Sequence, residues 1–485
     1  MNAVLKTLRW PTSDRDARRL ALWTADEVAG ATGGTASSAF QAAGVEMDSR
    51  DVRSGDLFFA LRGESLDGHL YVDKAFANGA AAAVVEKPIP QPHILVEDTS
   101  KALELLAKSA RERASARVVG VTGSVGKTGV KEAIFASLDR SSRGAAHRSV
   151  RSYNNHVGVP LSLSRMTARS KFGVFEMGMN HAGEILGLTA QVRPHVAVIT
   201  TIAPAHIENL GSEEAIADAK AEIFAGLEPG GTAVIPADGP HFDRLHGAAL
   251  AAGAEVLSFG RNPQADVRLL DAIPSANGGS LVTAAFEDRR LCYSVAEPGA
   301  HWVANSLAVM AAVHAAGGDL GSAGLALAEM GGLKGRGARH RLRVFGGHAL
   351  LIDESYNANP ASMRATLAQL GATPASRRIA VLGSMKELGD FSAGFHAQLA
   401  EPLEAAHVDY VILVGEEMVA LARELGKPAK NALGIPFAFT HCQNPGEAIA
   451  ALEEYGLAGG DAVLVKGSNS VGLGRVVAHF AGREG

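Results

Sequence analysis

The chain has 485 residues, of which 47% are apolar and 20% charged, with a formal net charge of −5. At roughly 100–200 residues per domain this length suggests about three domains, and the lack of a long basic run excludes a nucleic-acid binder that works by neutralising phosphates. No run of about 20 apolar residues occurs, so no helix is expected to span a membrane; the two cysteines, Cys292 and Cys442, fit no metal spacing and suit a reduced cytoplasmic protein.

Residues 1–23 read as a polar extension without an apolar leader or a small-residue cleavage pattern, and no function attaches to them. From 24 to 116 the chain reads as a compact α/β unit. It has a short helix (TADEVAGA), a strand (DLFFAL), a helix (YVDKAFANGA) and a strand (AAAVVE). The helix KALELLAKSARERA leads out, with Leu103, Leu106 and Ala110 at three- and four-residue spacing on one face. Within this unit the strings DSR, FFALRG and DGH carry Ser49, Arg50, Arg62 and His69. Each string alone is an ordinary turn.

The region 117–331 opens on RVVGVTGSVGKTGVKEAIFASL, in which a strand runs into a glycine-rich turn and then a helix. Backbone N–H groups of Gly123, Ser124, Val125 and Gly126 can turn inward around phosphate, and the helix N-terminus adds partial positive charge. Lys127 can reach β and γ phosphates and the Thr128 hydroxyl can bind Mg²⁺. The spacing departs from G-x-x-x-x-G-K-[ST]: Val121 stands five before Gly126, and the glycines are Gly120 and Gly123. YNNHVGVPLSL follows, where Asn154 and Asn155 can each donate and accept; a polar turn is the plainer reading. The near-continuous apolar strands FGVFEM, HVAVITTI and TAVIPA suit a buried parallel sheet. Glu176 ends the first of these, either as a magnesium ligand facing the loop or as a solvated strand end. His206 and Glu208 come just past the next strand, and Lys220 lies on the helix after them. Taken alone, His206 could be structural and Lys220 a surface residue. HWVANSLAVMAAVHAAGG closes the region as an amphipathic helix with a Gly-Gly stop and contains Asn305.

The region 332–485 begins at GLKGRGAR, which contains Arg336, and alternates strands (ALLIDES, RRIAVLGS, DYVILVG, DAVLVKGS) with helices in a Rossmann-like pattern. Asp353, Ser355, Tyr356, Asn357 and Asn359 follow the first strand in LLIDESYNANPASM, which alone reads as a βα loop rich in turn formers.

Together these segments resemble the Mur ligase family from about Thr24 to the end. TGSVGKT is similar to that family's phosphate loop, and DESYNANP to the signature of its D-alanyl-D-alanine-adding branch. The aspartate–asparagine–proline–arginine motif of the branch adding the third peptide residue does not occur. The N-terminal strings resemble the uridine-nucleotide domain, which folylpolyglutamate synthase lacks.

The resemblance implies an α/β fold of three domains: a UDP-muramoyl substrate-binding domain (24–116), a P-loop parallel-sheet ATPase domain (117–331) and a Rossmann-like ligase domain (332–485). It implies a cytoplasmic, monomeric ATP-dependent ligase that joins D-alanyl-D-alanine to UDP-N-acetylmuramoyl-tripeptide through an acyl phosphate. Two Mg²⁺ ions would be served by Thr128, Glu176, His206 and Lys220, the last carbamylated by CO₂. Lys127 and Arg336 would meet the phosphates, Asn305 the adenine and Asp353 the ribose. Ser49, Arg50, Arg62, His69, Asn154 and Asn155 would bind the muramoyl nucleotide. Ser355, Tyr356, Asn357 and Asn359 would bind substrate from the ligase domain.

Overall fold

The computed structural model describes residues 21–63, 66–275, 278–427 and 437–482, so most of the polar extension lies outside the described residues. The chain divides into two compact units, Met1–Val118 with Asp139–Phe175, and Val119–Leu138 with Glu176–Gly485. Among the described residues no helix is long and apolar enough to cross a membrane.

In the first unit, helix α1 (Ala25–Thr32) starts at a capping box, in which Thr24 Oγ1 accepts from Glu27 N–H at 3.3 Å and Thr24 N–H donates to the Glu27 carboxylate at 2.7 Å. Strands β1 (Thr35–Ala36), β2 (Gly44–Glu46) and β3 (Asp56–Phe59), helix α2 (Val72–Ala77), strands β4 (Ala82–Val85) and β5 (His93–Leu95) and helix α3 (Thr99–Arg113) follow. The sheet order is β1-β5-β4-β3-β2, parallel except where β1 meets β5. Asp98 starts α3 by accepting from Ser100 and Lys101 N–H at 2.7 and 2.9 Å. The face predicted from periodicity is the buried one: Leu103, Leu106 and Ala110 pack with Leu57, Phe59 and Val84. Trp23, assigned to the extension by sequence, is core: it is 2% exposed, its indole N–H donates to the Ser164 carbonyl at 2.8 Å, and the Arg113 guanidinium lies 3.5 Å from its ring centroid.

The second unit holds two sheets. The first begins at β6 (Arg117–Thr122), which feeds helix α4 (Lys127–Ser142); β7 (Phe172–Glu176) and β8 (Val196–Ile199) follow, then helix α5 (Glu213–Ala221). Next come β9 (Thr232–Pro236), β10 (Glu255–Gly260), β11 (Val267–Pro274), β12 (Ser280–Phe286), β13 (Arg289–Val295) and helix α6 (Ala300–Ala315). Within this unit the order is β13-β12-β11-β10-β9-β8-β6. It is parallel from β6 to β11 and antiparallel from β11 to β13. Val119–Thr122 and β8 are buried, as their apolar runs dictate, whereas β12 alternates exposed and buried residues.

The second sheet comprises β14 (Ala338–Val344), β15 (Gly347–Glu354), then, after helix α7 (Pro360–Ala372), β16 (Arg377–Gly383), β17 (Tyr410–Val414), β18 (Ala438–Cys442) and β19 (Asp461–Lys466). Its order is β14-β15-β19-β16-β17-β18, with only the β14–β15 hairpin antiparallel. The loops carrying DESYNANP, GSMKELGD and KGSNS leave the carboxyl ends of β15, β16 and β19, where open parallel sheets present their binding crevice.

Candidate active site

The turn between β6 and α4 is fixed by close backbone approach. A Cβ on Gly123, at φ +144°, would lie 2.0 Å from Thr200 Oγ1; one on Gly126, at φ +88°, would lie 3.0 Å from the Asn305 amide oxygen. Only glycine fits such positions. The loop is tied to the segment after β8: Ser124 N–H donates to Thr201 O at 2.8 Å, Ser124 Oγ to Ala203 O at 2.9 Å, and Thr200 Oγ1 to Val125 O at 2.5 Å. Asn305, on α6, therefore borders the loop.

Lys127 Nζ donates to the Gly123 carbonyl at 2.6 Å. Burial pushes its pKa down, opposed by the Glu176 carboxylate and reinforced by the nearby Arg336 charge. Thr128 Oγ1 donates at 2.9 Å to Glu176, whose side chain is fully buried at the end of β7. A buried carboxylate and a hydroxyl at the mouth of a phosphate-type loop suit Mg²⁺, which takes few protein ligands and leaves the rest to phosphate and water. Among the described residues no group of three His, Cys, Asp or Glu side chains is arranged to hold a metal unaided.

Lys220, on α5, is 1% exposed, so it is not a surface helix lysine. Its pKa is pushed well below the usual lysine range by burial first and by Lys127 second. The neutral amine is the nucleophilic form, the one able to attack the carbon of CO₂. His206 sits in the left-handed region, at φ +61°, and its Nδ1 lies 2.5 Å from a carboxylate oxygen of Glu387, itself at φ +64°. Glu208 N–H donates to the Glu387 carbonyl at 3.4 Å.

The DESYNANP loop reaches the same place. Asn359 accepts from Ser362 N–H at 2.9 Å to start α7, while its amide nitrogen donates to the Ser124 carbonyl at 3.4 Å. Arg336 lies over the Tyr356 ring at 4.2 Å. Asp353 is occupied within the loop: its two oxygens accept from Gly335 N–H at 2.8 Å, Ser355 N–H at 3.1 Å and Ser355 Oγ at 2.6 Å. Asn357 Oδ1 likewise accepts from Ala358 N–H at 2.9 Å.

The first unit distributes its expected residues unevenly. Arg50 lines a cleft of about 600 Å³ together with Arg53, Asp51, Arg151, Tyr153 and Arg165. Arg50 is paired with Asp48 at 2.6 Å and Arg151 with Asp51 at 2.9 Å. Ser49 is buried, and its carbonyl accepts from Asn78 at 2.7 Å. Neither Arg62 nor His69 lines the cleft. Arg62 pairs with Glu86 at 3.2 Å; His69 Nδ1 bonds Asp67 at 2.7 Å while Nε2 accepts from Glu86 N–H at 3.0 Å, which assigns the ring proton to Nδ1. Asn155 accepts from Gly158 N–H at 2.9 Å at the start of the helix Gly158–Ser164, next to the half-buried Asn154. Sequence reading missed Arg151 and Tyr153; the signal was an arginine and an aromatic immediately before the paired asparagines.

Comparison with known proteins fits this geometry. Three family profiles match: "Mur ligase family, catalytic domain" over residues 41–111, "Mur ligase middle domain" over 121–313, and "Mur ligase, glutamate ligase domain" over 340–469. The chain is 36% identical over 440 residues to the UDP-N-acetylmuramoyl-tripeptide--D-alanyl-D-alanine ligase of Synechocystis, covering 89% of this chain and 90% of that protein. A crystal structure of MurF from Acinetobacter baumannii superposes with a TM-score of 0.80 at 29% identity, covering 95% of this chain and 99% of that one. MurF from Thermotoga maritima in complex with ADP gives a TM-score of 0.73 at 26% identity, over 91% and 97% of the two chains.

Proposed function

The chain belongs to the Mur ligase family, and on that premise we propose that it joins D-alanyl-D-alanine to UDP-N-acetylmuramoyl-tripeptide with ATP, releasing ADP and phosphate and giving the pentapeptide precursor of peptidoglycan. The observation that carries the reading is the hydrogen bond from Asn359 to Ser124, which sets the DESYNANP loop on the phosphate loop. The full-length likeness to relatives bearing that activity supports it.

In the mechanism, the carboxylate of the tripeptide attacks the γ-phosphorus of ATP, the bond to the β,γ-bridging oxygen breaks, and ADP leaves an acyl phosphate. The amine of the dipeptide then attacks the acyl carbon, loses a proton, and phosphate departs. Little covalent chemistry falls to the protein; its share is positioning and charge stabilisation. Lys127 and Arg336 would neutralise the transferring phosphoryl group, and Gly123–Gly126 would cradle it with backbone N–H groups. Thr128 and Glu176 would hold one Mg²⁺, with Lys220 as a carbamate and His206 serving a second. When bound, the ions would supply positive charge that neutralises the phosphates. Asn305, against Gly126, would meet the adenine. The loop from Ser355 to Asn359 would receive the dipeptide, while Asp353, saturated inside that loop, would meet ribose only by exchanging a bond. On this reading the enzyme acts as a monomer in the cytoplasm, where ATP and its water-soluble substrate occur.

For the first unit we infer that the arginine-lined cleft receives the diphosphate of the muramoyl nucleotide, with Arg50 and Arg151 as ligands and Tyr153 as an apolar wall. Arg151→Ala is expected to raise KM for the nucleotide substrate about tenfold, the loss of one charge-assisted contact, and to leave KM for ATP unchanged. Equal shifts in both constants would remove the cleft from the substrate path.

The test of the reaction is ADP release with UDP-muramoyl-tripeptide and, in separate assays, D-alanyl-D-alanine, lysine or diaminopimelate on their respective acceptors. Dipeptide-dependent release is expected; preference for a single diamino acid would overturn the assignment.

A further inference from the structure

Resting on the reading above, we propose that Lys466 is a positioning residue for the amine-receiving loop, holding its middle so that the dipeptide meets the acyl carbon beside the phosphate loop. Lys466 ends β19, in register with Glu354 at the end of β15. It is 2% exposed. Its Nζ donates to the Asn357 carbonyl at 3.0 Å and lies 3.6 Å from Glu354 Oε2.

The geometry divides the loop into three attachments. Asp353 holds the near end through Gly335 and Ser355, and Asn359 holds the far end through Ser362 and the Ser124 carbonyl. Between them, Tyr356 N–H donates to the Gly335 carbonyl at 3.1 Å, and Lys466 takes the carbonyl of the next residue. Gly335 belongs to the same segment as Arg336, whose guanidinium rests on Tyr356. The middle of the loop is thus tied on one side to the arginine segment and on the other to the sheet, through Lys466.

A buried lysine is a costly way to hold a loop if packing is all that is needed; an apolar side chain of similar volume often does as well. What a lysine adds is a donor of fixed direction and a charge opposite Glu354. Burial pushes the Lys466 pKa down and the Glu354 pKa up, and each opposes the other's shift. Arg336 also acts on both. Lys466 itself touches no reacting atom on this view, and its loss would be felt where the amine binds, after phosphorylation.

The test separates the two half-reactions in the full-length enzyme. Acyl-phosphate formation is trapped with hydroxylamine from ATP and muramoyl-tripeptide without amine; amide formation is followed by steady-state kinetics with D-alanyl-D-alanine. Lys466→Met is expected to leave trapping within twofold of wild type and to raise KM for the dipeptide tenfold or more. Lys466→Arg, which keeps the charge and a donor, is expected to recover part of that loss. An unchanged dipeptide KM in Lys466→Met, or equal losses in both half-reactions of a folded variant, would overturn the proposal. Where Lys466→Met does not fold, Lys466→Arg carries the decision: a raised dipeptide KM with normal trapping supports the role, and wild-type constants refute it. If the wild type accepts a different amine, the substrate reading fails, and the same split measured with that amine still decides the role of Lys466.

Discussion

Lys127→Ala is expected to lower turnover at saturating ATP by at least about 10²–10³-fold, the loss seen when one preorganised charge-stabilising donor is removed, while the melting transition barely moves. The lysine opens α4 and is bound to the loop's own Gly123 carbonyl, so its charge is held at the loop mouth before any phosphate arrives. Burial makes that charge worth more than a surface ammonium, because little water screens it. The structural consequence is small by contrast: one hydrogen bond to a backbone carbonyl, about 1 kcal/mol. Near-normal turnover at saturating ATP would remove the phosphate-loop assignment, and with it the roles given to Thr128 and Glu176.

A comparable loss is expected for Lys220→Ala, with a distinguishing signature. The charged group acting on Lys220 is the like-charged Lys127, and burial further favours the neutral amine. In the carbamate, the neutral amine nitrogen bonds to the carbon of CO₂ and releases one proton, so a neutral group becomes an anion that would attract both Lys127 and Mg²⁺. Lys220→Ala should therefore lose most activity, and formate or acetate should restore part of it by filling the vacated anion site. Bicarbonate should not, because no amine remains to react. Full activity in the variant, or a crystal of active enzyme whose density shows a bare amine at Lys220, would end the carbamate idea.

The α/β class and the strand–helix alternation were legible because each buried strand is a short apolar run: VVGVT and TAVIPA match β6 and β9 to within a residue, whereas HVAVITTI overruns β8 by one residue before it and three after. Helix α3 was legible down to its buried face. The antiparallel extension β11–β13 was not read: its strands are only partly buried, β11 mostly exposed or half-buried, so they lack the continuous apolar run that marked the others, and they carry no motif. Site residues divided along a different line. Thr128 and Glu176 stand 48 positions apart, yet both follow buried parallel strands, and the ends of such strands share one edge. His69, Arg62 and Asp353 were expected to meet ligand, and the structure shows each bonded to a neighbour. Such pairings depend on side-chain direction, which spacing alone does not reveal. Arg151 joins Arg50 in one cleft from about a hundred residues away, and no local pattern announces that meeting. Lys220 illustrates the limit most plainly: its burial comes from tertiary packing around a helix whose sequence, EEAIADAKA, looks solvent-facing.

Asn359 bears on how such ligases can diversify. One side chain both launches a helix of its own domain and grips a carbonyl of the phosphate loop. The DESYNANP loop is therefore not a portable cassette. A grafted loop without an asparagine at this position would lose both attachments together, fraying the helix start and freeing the loop from the Ser124 carbonyl. Substitutions inside the loop leave these two attachments in place, whereas exchange of the whole segment puts both at risk at once.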